Sequence, residues 1–438
     1  MTDLRNDATS IFDSAVSSAM PSSLINKKIQ RIGDSLIINN KKYILNRNVK
    51  VVAFGKASVD FSKSIENLIG DHITEGISSV PNGILNHFNY SNEKIILREG
   101  ADGNLPDSNS EKTTKLICQM VKNSSKDDLI LVLISGGGSS LLSMPAEGIP
   151  SSDKLQTIKL ISQNGGDITQ LNTVRKHISA VKGGQLSHLA SPATILSLVI
   201  SDVLGDSLDI IASGPTVQDS STFGDALKVI HDLSLENKVP DSVMNRLIQG
   251  SLGELEETPK SCDNTDTFIL GSNQDALDSA KKQAELLGYD VFVHSSNISG
   301  LARDVGLEYA DLAKMKIQEG IQKRVCILGS GETTVVVKGK GLGGRSQELS
   351  LAAASELQGL NNVVLLSAGS DGQDGPTDAA GAFADGRTIE RAKSLGLDFN
   401  SHLEDNDSYN FFVKLNDIFS PGLTGTNITD LQILLITP

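Results

Sequence analysis

Leu129-Ile-Leu-Val-Leu-Ile-Ser-Gly-Gly-Gly-Ser-Ser140 is the stretch that decides the fold of this chain of 438 residues. Its apolar first half has the length and composition of a buried strand. The run then ends in a triple glycine flanked by serines, which is typical of the turn that follows a strand in a parallel sheet. We therefore predict a strand over Leu129–Ile134 and a polar turn directly after it.

Two other segments repeat this pattern of a buried strand followed by small and polar residues. Val49–Phe54 runs into Gly-Lys-Ala (55–57), and Ala193–Ile200 runs into Ser-Asp-Val-Leu-Gly-Asp (201–206). The carboxyl ends of parallel strands meet at one edge of a sheet, where open α/β folds bind their ligands. We predict an α/β protein whose first domain, residues 1–250, is Rossmann-like with a largely parallel sheet.

A second α/β series follows the polar segment Leu235–Asp266, which serves as the predicted domain boundary. Helical periodicity near 273–287, 300–319 and 345–358 separates short apolar runs. We predict a second, smaller α/β domain over residues 265–438. Its predicted strands are Thr267–Leu270, Tyr289–His294, Arg324–Leu328 and Asn362–Ser367, with Thr333–Lys338 as a hairpin strand and Leu431–Thr437 as the strand that closes the sheet.

The composition limits the classes of partner. The net charge is −14, with 39% hydrophobic and 21% charged residues, an ordinary balance for a globular enzyme. The excess of carboxylates argues against nucleic-acid binding, and no apolar run has the length of a membrane span. The N-terminus lacks the apolar core of a signal peptide, and Cys118, Cys262 and Cys326 show no metal-binding spacing. We expect a cytoplasmic protein with free thiols, no nucleic-acid or membrane partner and a small-molecule substrate, and the sequence leaves a homodimer open.

Residues 171–187, Leu-Asn-Thr-Val-Arg-Lys-His-Ile-Ser-Ala-Val-Lys-Gly-Gly-Gln-Leu-Ser, concentrate positive charge in this acidic chain. Their apolar residues recur at helical spacing, which predicts a helix that continues to Val181. Arg175 and Lys182 lie about two turns apart and are expected on one face. Such a patch attracts a small anion, either a phosphate or a carboxylate. The alternative is a solvated helix face.

The glycine-rich turn after the first quoted strand is a candidate phosphate loop. Gly136, Gly137, Gly138 and Ser139 would let backbone N–H groups approach phosphate oxygens without a Cβ in the way. The spacing is not that of a P-loop, and there is no good dinucleotide-binding fingerprint with an acidic residue about twenty positions later. Lys56, also at the end of a predicted strand, can provide a fixed positive charge for a transferring phosphoryl group. The alternatives are a plain turn and a solvated lysine.

Arg345 ends the segment Gly-Lys-Gly-Leu-Gly-Gly-Arg (339–345), which joins a predicted strand to a helix. The glycines predict a mobile loop that closes over bound substrate. An arginine here is suited to bidentate capture of a phosphate or carboxylate. Glu348, one helical turn later, fits a capping-box partner. The alternative is a flexible surface loop.

Carboxylates follow two of the predicted strands. Asp202 and Asp206 lie in the turn after residue 200, and Asp371 begins the motif Asp-Gly-Gln-Asp-Gly-Pro-Thr-Asp (371–378). Beside a phosphate loop, such groups can bind Mg²⁺ or act as a general base. The second motif lacks the terminal Glu of an EF-hand, which argues against a calcium site. Asp and Gly are also common in turns, so a structural role is the alternative.

Taken together, these segments resemble the class II glycerate kinases, the glycerate 2-kinase family that ends in a MOFRL domain. The resemblance covers nearly the whole chain, with the motifs in the family's order. The matching stretches are Ala-Phe-Gly-Lys-Ala (53–57), Ile-Ser-Gly-Gly-Gly-Ser-Ser (134–140), the basic run 171–184, Ser-Asp-Val-Leu-Gly-Asp (201–206), Ala-Ser-Gly-Pro-Thr (212–216), Gly-Glu-Thr-Thr-Val (331–335), Gly-Gly-Arg-Ser-Gln-Glu (343–348), the acidic motif 370–378 and Thr-Gly-Thr-Asn-Ile-Thr-Asp (424–430).

The resemblance implies ATP-dependent phosphorylation of D-glycerate by two α/β domains, the second of the MOFRL type, with the active site in the cleft between them. It places the residues that match Lys56 and Arg345 at the centre of the site, and both stabilise charge in our assignment. Mg²⁺ accompanies ATP as the expected cofactor, and 2-phosphoglycerate is favoured over 3-phosphoglycerate as the product.

The other expected roles follow from the same comparison. Arg175 and Lys182 would hold the glycerate carboxylate or nucleotide phosphates, while residues 136–139 cradle phosphates. Asp202, Asp206 or Asp371 would bind Mg²⁺, with Asp202 also the expected acceptor of the hydroxyl proton and Asp371 a binding residue as well. The remaining expected substrate- or nucleotide-binding residues are Asn172, Gly183, Glu348 and Asn427.

Two other functions remain open at the level of sequence. A hydroxypyruvate reductase would work on a compound one hydride step from glycerate, but it needs a nicotinamide site and the fingerprint for one is poor. A catalytically silent nucleotide-binding protein is the second alternative, because folds outlive functions. Oxidation of NADH by hydroxypyruvate without ATP would identify the first, and a turnover assay decides the second.

Overall fold

The computed structural model describes residues 2–87, 93–101 and 105–438. The chain forms two compact units. Leu24–Leu270 is called the N-terminal unit below, and Gly271–Pro438 together with Met1–Ser23 is called the C-terminal unit. The unit boundary follows Leu270, so the predicted strand Thr267–Leu270 belongs to the N-terminal unit and does not begin the second domain as expected. The first residues of the chain belong with its C-terminal part.

Helices and strands alternate along most of the chain. The strands are β1 (Ile29–Arg31), β2 (Ser35–Ile38), β3 (Lys41–Ile44), β4 (Val49–Phe54), β5 (Ile73–Pro81), β6 (Ile95–Gly100), β7 (Leu129–Ile134), β8 (Thr194–Ile200), β9 (Thr265–Gly271), β10 (Asp290–Ile298), β11 (Val325–Gly331), β12 (Val363–Gly369), β13 (Gly381–Asp385), β14 (Ile418–Phe419) and β15 (Asp430–Ile436). The helices are α1 (Thr2–Ser18), α2 (Pro21–Lys28), α3 (Ser58–Ile69), α4 (Ser108–Lys122), α5 (Gly138–Leu141), α6 (Ser151–Gln163), α7 (Ile168–His177), α8 (Gln185–Ala190), α9 (Phe223–Asp232), α10 (Asp241–Ser251), α11 (Asn273–Leu286), α12 (Ala302–Gln318), α13 (Arg345–Leu357), α14 (Thr388–Ser394), α15 (Phe399–Glu404) and α16 (Ser408–Leu415).

A six-stranded sheet in the order β6-β5-β4-β7-β8-β9 organises the N-terminal unit. The pairs β5–β6, β4–β5, β4–β7 and β7–β8 are all parallel. Every residue of β4 and β7 is buried, including Lys50 of β4. Their otherwise apolar sequences predict this for central strands that are covered on both faces. The predicted α/β class and parallel sheet are therefore confirmed, and β4 and β7 sit side by side so that their following turns meet.

A mixed six-stranded sheet in the order β10-β11-β15-β12-β13-β14 organises the C-terminal unit. β15 pairs antiparallel with both β11 and β12, so the last strand of the chain lies inside the sheet. It does not close an edge as expected, although the strand itself is confirmed. The predicted hairpin strand over 333–338 is wrong, because this segment forms only a single bridge, from Thr334 to Leu301.

Helix α1 belongs to the C-terminal unit because both its polar and its apolar contacts lie there. Arg5 donates hydrogen bonds of 2.7 Å to Asp385 Oδ2 and 2.6 Å to Asp417 Oδ1. Phe12 packs edge-to-face on Phe419 with ring centroids 5.0 Å apart. Across the described residues, no helix is both long enough and apolar enough to cross a membrane.

Candidate active site

The turns after β4 and β7 are joined by backbone hydrogen bonds. The Lys56 amide donates to Gly136 O at 2.7 Å, and the Ser135 amide donates to Phe54 O at 3.2 Å. The Ser135 hydroxyl accepts a hydrogen bond from the Ala57 amide at 3.0 Å. The two predicted phosphate-directed elements, the lysine turn and the glycine loop, therefore form one rigid structure at the edge of the sheet.

Close packing explains the glycines of these two turns. Gly55 has φ +124°, and a Cβ there would lie 2.2 Å from Ser135 Oγ. Gly137 has φ +77° and packs against the aliphatic part of Lys56, while a Cβ at Gly138 would touch the Phe54 ring at 3.0 Å. Each position thus needs glycine for the turn itself, because other residues rarely adopt positive φ or would overlap a neighbour.

Gly55→Ala should destabilise the N-terminal unit by about 3 kcal/mol, because the substitution adds a backbone overlap to an unfavourable φ. Gly148→Ala is the matched control, since Gly148 has φ +81° but open space around its missing Cβ. The control should lose only the cost of a left-handed alanine, about 1 kcal/mol. Urea unfolding of both variants measures the difference, and equal losses would contradict the assigned overlap.

A network of hydroxyl, amide and guanidinium groups lies next to the glycine loop. Asn172 Oδ1 accepts hydrogen bonds of 2.9 Å from both Arg175 Nη1 and Ser213 Oγ. Arg175 Nη1 also donates to Ser213 Oγ at 3.2 Å, and Ser213 Oγ lies 3.1 Å from Ser139 Oγ. The Asn172 amide nitrogen is buried and has no partner within the described part of the chain, so a hydrogen-bond donor remains unused beside the network. The structure therefore brings together three of the predicted site residues, Ser139, Asn172 and Arg175.

Ser213 is a site residue that the sequence analysis quoted in a motif but did not assign. It lies in a turn where Ala212 (φ 51°), Ser213 (φ 62°) and Gly214 (φ 59°) are all left-handed. Non-glycine residues in this region carry strain that the surrounding structure must offset, and such residues cluster at functional sites. The turn holds the Ser213 hydroxyl against Asn172 and Arg175.

Lys182 holds this strained turn in place and is not available for direct contact with a ligand. Helix α7 ends at His177, so the predicted helix through Val181, with Arg175 and Lys182 on a shared face, is wrong. Lys182 is fully buried, and its ammonium donates to Ala212 O at 2.8 Å and to Gly138 O at 3.4 Å. Burial lowers the pKa of Lys182 well below its usual range, and Lys154 and Arg175 lower it further.

The other members of the basic run have structural partners. Lys176 pairs with Asp219 at 3.3 Å, and His177 lies 3.3 Å from the carboxylate of Glu257. Gly183 has φ +55°, and its amide donates to Ser213 O at 3.0 Å. Gly183 thus supports the strained turn through its backbone. Its binding role stays a prediction.

Arg345 begins α13 in the C-terminal unit, where two carboxylates hold its guanidinium. Its Nε and Nη2 donate to the two oxygens of Asp430 at 2.6 and 2.9 Å, and Nη1 binds Glu332. Burial opposes the charge of Arg345, but attraction to Asp430 and Glu332 raises its pKa above the usual range. The side chain remains 32% exposed. Within the described structure, these contacts leave one N–H on each terminal nitrogen for a further ligand.

The acidic motif 371–378 places its carboxylates in separate roles. Asp374 accepts hydrogen bonds from the Ser346 and Gln347 amides at 3.1 and 2.8 Å and so caps α13. Burial and the nearby Asp430 raise the pKa of Asp374 to about 7. Asp371 is half-buried and accepts from the Gln373 amide at 3.0 Å.

The expected cluster of metal-binding carboxylates is not preformed. Within the described ranges, no three Asp, Glu, His or Cys side chains lie close enough to hold a metal ion. Asp202 and Asp206 remain in the half-buried turn after β8, where Asp206 has φ 55°. Left-handed backbone is tolerated by Asp in turns, which explains why Asp recurs there independently of metal binding.

Two expectations for the start of α13 and the segment before it are corrected. Glu348 is 3% exposed and binds Arg303 Nε at 2.8 Å and Asn406 Nδ2 at 2.8 Å. Its carboxylate therefore has two structural partners and does not cap the helix. A binding role for Glu348 stays a prediction. The glycine-rich segment 339–344 is anchored, because the Gly341 amide donates to Asp405 O at 2.8 Å and a Cβ at Gly339 would lie 2.2 Å from the same oxygen. Close approach to a neighbouring loop, and not mobility, accounts for these glycines.

Asn427 differs from Glu348 because its side chain remains available. It is half-buried, and the hydrogen bonds of the described residues do not include its amide. It precedes Ile428, whose amide donates to Ser370 Oγ at 2.9 Å. A binding role for Asn427 therefore stays a prediction.

Comparison with known proteins assigns both halves of the chain to families. Residues 7–248 match the family described as "Domain of unknown function (DUF4147)", and residues 325–430 match the MOFRL family. The chain is 36% identical to a glycerate kinase of Danio rerio, with 100% of this chain and 99% of that protein covered. It is 38% identical to a D-glycerate 2-kinase of Thermotoga maritima over 94% of this chain and 97% of the relative.

A solved structure agrees with these relatives. The crystal structure of a glycerate kinase from Thermotoga maritima covers 100% of both chains with a TM-score of 0.85 and 35% identity. A protein from Pyrococcus horikoshii matches with a TM-score of 0.81 and 32% identity. Since identities above 30% extend over essentially the whole chain, the resemblance seen in the motifs is confirmed. The chain belongs to the glycerate kinase family, in which a DUF4147 domain is followed by a MOFRL domain.

Proposed function

We propose that this chain transfers the γ-phosphoryl group of ATP to the 2-hydroxyl of D-glycerate. The observation that carries the proposal is the cluster at the ends of β4 and β7, where Lys56, the glycine loop and Arg175 are fixed together in a chain related over its full length to glycerate kinases. The relatives from Thermotoga maritima and Pyrococcus horikoshii are named as 2-kinases, which supports transfer to that hydroxyl.

The chain's own residues would act mainly by position and charge, as phosphoryl transfer requires. Lys56 would stabilise the charge that develops on the transferring group, and the backbone of 136–139 would orient phosphate oxygens. Arg175, fixed by Asn172 and Ser213, would hold an anionic group of a substrate. Asp202 would accept the proton of the attacking hydroxyl. In the C-terminal unit, Arg345 would present its remaining N–H groups to an anionic oxygen.

The product formed from D-glycerate and Mg-ATP tests the proposal. ³¹P NMR should show 2-phosphoglycerate, whose resonance differs from that of the 3-phosphate. A 3-phosphoglycerate signal would overturn the assigned hydroxyl. Oxidation of NADH by hydroxypyruvate in the absence of ATP would instead identify the reductase alternative.

Mg²⁺ fits the site as a companion of ATP better than as a resident ion. Magnesium commonly binds through one or two carboxylates together with substrate phosphates, so it does not need the three-residue cluster that the described residues lack. Asp202, Asp206 and Asp371 are the carboxylates we propose to take part. Bound with ATP, the ion would neutralise phosphate charge during transfer.

EDTA in excess over added metal should abolish turnover, and excess Mg²⁺ should restore it fully. The expected mechanism is removal of the ion from ATP, so the thermal stability of the protein without nucleotide should stay unchanged. A coupled assay and a melting curve on the same sample measure both quantities. Full turnover after exhaustive chelation would exclude the proposed role of Mg²⁺, whereas a large drop in melting temperature would indicate a structural metal instead.

A further inference from the structure

A cavity of about 300 Å³ lies within the N-terminal unit, beside the network of Ser139 and Arg175. Lys154 of α6 lines it together with these two residues. Leu105, Pro106 and Leu155 contribute apolar surface. Pockets that combine apolar walls with a few convergent polar groups are the usual form of small-molecule sites.

Lys154 is a buried cation that the roles proposed above do not use. Its side chain is 6% exposed, and within the described part of the chain its ammonium donates two long hydrogen bonds, of 3.3 Å each, to Ser143 Oγ and Met144 O. Burial and then repulsion from Arg175 lower the pKa of Lys154 to about 7. A buried ammonium normally has a partner of opposite charge. The position of Lys154 beside the like charge of Arg175 therefore requires an explanation.

Among the residues that the structure describes, the carboxylates around the cavity already have other partners. Glu111 of α4 binds Ser151 and pairs with Lys115 at 2.9 Å, although it also raises the pKa of Lys154 to a small extent. Asp107 caps α4 by accepting from the Ser110 amide at 2.7 Å.

On the α6 side, Asp153 accepts from the Ser242 hydroxyl at 2.6 Å. Lys182 lies fully buried behind the glycine loop, and the positive charges of Lys154 and Arg175 lower its pKa beyond the effect of burial. Counted over the described residues, positive charge at the cavity therefore exceeds the negative charge that is not already paired, although the protein as a whole is acidic.

We propose that this cavity binds the carboxylate of the acceptor substrate, and that Lys154 and Arg175 are the two residues that grip it. The inference rests on the proposed function, because it names the pocket for D-glycerate. A cavity of this size takes a three-carbon acid whole but only part of a nucleoside triphosphate. A carboxylate also supplies the single negative charge that would relieve the repulsion between the two cations.

Lys154→Met tests the proposal, because methionine keeps the length of the side chain and removes the charge. The KM for D-glycerate should rise about 10- to 100-fold, as expected for loss of a charged hydrogen bond. The KM for ATP and kcat should each change less than about threefold, because the lost contact binds D-glycerate equally in the ground state and in the transition state. Lys159→Met, on the exposed face of the same helix, is the matched control and should leave every constant unchanged.

A binding measurement on the unaltered protein does not depend on the folding of a variant. A bound carboxylate favours the charged lysine and raises its pKa, so binding above pH 7 must take up a proton. Calorimetry of D-glycerate binding at pH 8, with a non-hydrolysable ATP analogue present and in two buffers of different ionisation enthalpy, should report this uptake. At pH 6, where Lys154 is already charged, the uptake should disappear. Lys154→Met should show none at either pH.

Each outcome decides between the proposals. An unchanged KM for D-glycerate in a folded Lys154→Met overturns the inference, and so does a rise in the KM for ATP, which would assign the cavity to the nucleotide. Proton uptake that persists in Lys154→Met also overturns it. Absence of turnover by the unaltered protein, with Lys154-dependent binding of D-glycerate intact, would refute the proposed function and leave the binding site standing.

Discussion

Lys56→Ala should lower kcat about 10³-fold while the protein stays folded, because the variant loses a fixed positive charge that acts on the transition state. The structure gives Lys56 little freedom of position. Its amide is hydrogen bonded to Gly136 O at 2.7 Å, and its aliphatic part packs on Gly137. A charge fixed in advance beside the phosphate loop needs no reorganisation during the reaction, which is the condition for large electrostatic effects.

Steady-state kinetics with D-glycerate and Mg-ATP, together with urea unfolding, measure the two quantities. Lys126→Ala is the matched control, since Lys126 is an exposed lysine in the turn before β7. Its loss should change neither kcat nor stability by a measurable amount. If Lys56→Ala retained kcat within about threefold at unchanged stability, Lys56 would be a solvated turn residue.

The central strands of the first sheet were predictable from sequence because they are buried on both faces. β7 is an unbroken apolar run, β4 is interrupted only by Lys50, and both strands begin and end at the predicted residues. β5 and β6 were not predicted, since they carry polar and charged residues and include exposed positions. Their hydrogen bonds to neighbouring strands, not their own pattern, make them strands.

The candidate site was predictable only where its residues are close in sequence. The turns after β4 and β7 each carry their own signal in glycine, lysine and serine. Lys154 had no such signal, because a lysine in a helix normally points to solvent, and only the packing of α6 buries it. The prediction that Lys182 shares a helix face with Arg175 was wrong for a similar reason. The apolar residues keep their helical spacing in the sequence beyond His177, where α7 ends.

The partners of Arg345 could not be predicted from the sequence either, because they are distant from it along the chain. Glu332 lies 13 residues before it and Asp430 lies 85 residues after it. Both residues occur in motifs that the sequence analysis quoted, yet their pairing with Arg345 depends on β15 entering the sheet beside β11. Only the structure shows that the arginine is held by two carboxylates before any substrate binds.

That pairing leads to the second large expected effect, a fall in kcat of about 10²-fold or more in Arg345→Lys. The substitution keeps the positive charge, so the buried Asp430 still has a partner and the fold should persist. The substitution removes the planar guanidinium, with its parallel N–H donors. A lysine ammonium cannot bind both oxygens of Asp430 and also direct further N–H groups outward in a fixed plane. The experiment thus separates the geometry of the guanidinium from its charge, which an alanine substitution would not do.

Arg324→Lys is the matched control. Among the described residues, the Arg324 guanidinium donates one hydrogen bond, of 3.1 Å to Asp7, and lies 5.5 Å from the centroid of the Tyr289 ring, and the side chain is 43% exposed. A pair of that kind does not depend on two parallel bonds, and its replacement should leave kcat unchanged and stability within about 0.5 kcal/mol. Kinetics and urea unfolding of both variants give the comparison. A loss of stability in Arg345→Lys that matches its loss of activity would make the residue structural. Retention of kcat within about threefold in a folded Arg345→Lys would instead show that only the positive charge is required. The two N–H groups of Arg345 that do not bind Asp430 or Glu332 would then have no part in the transfer.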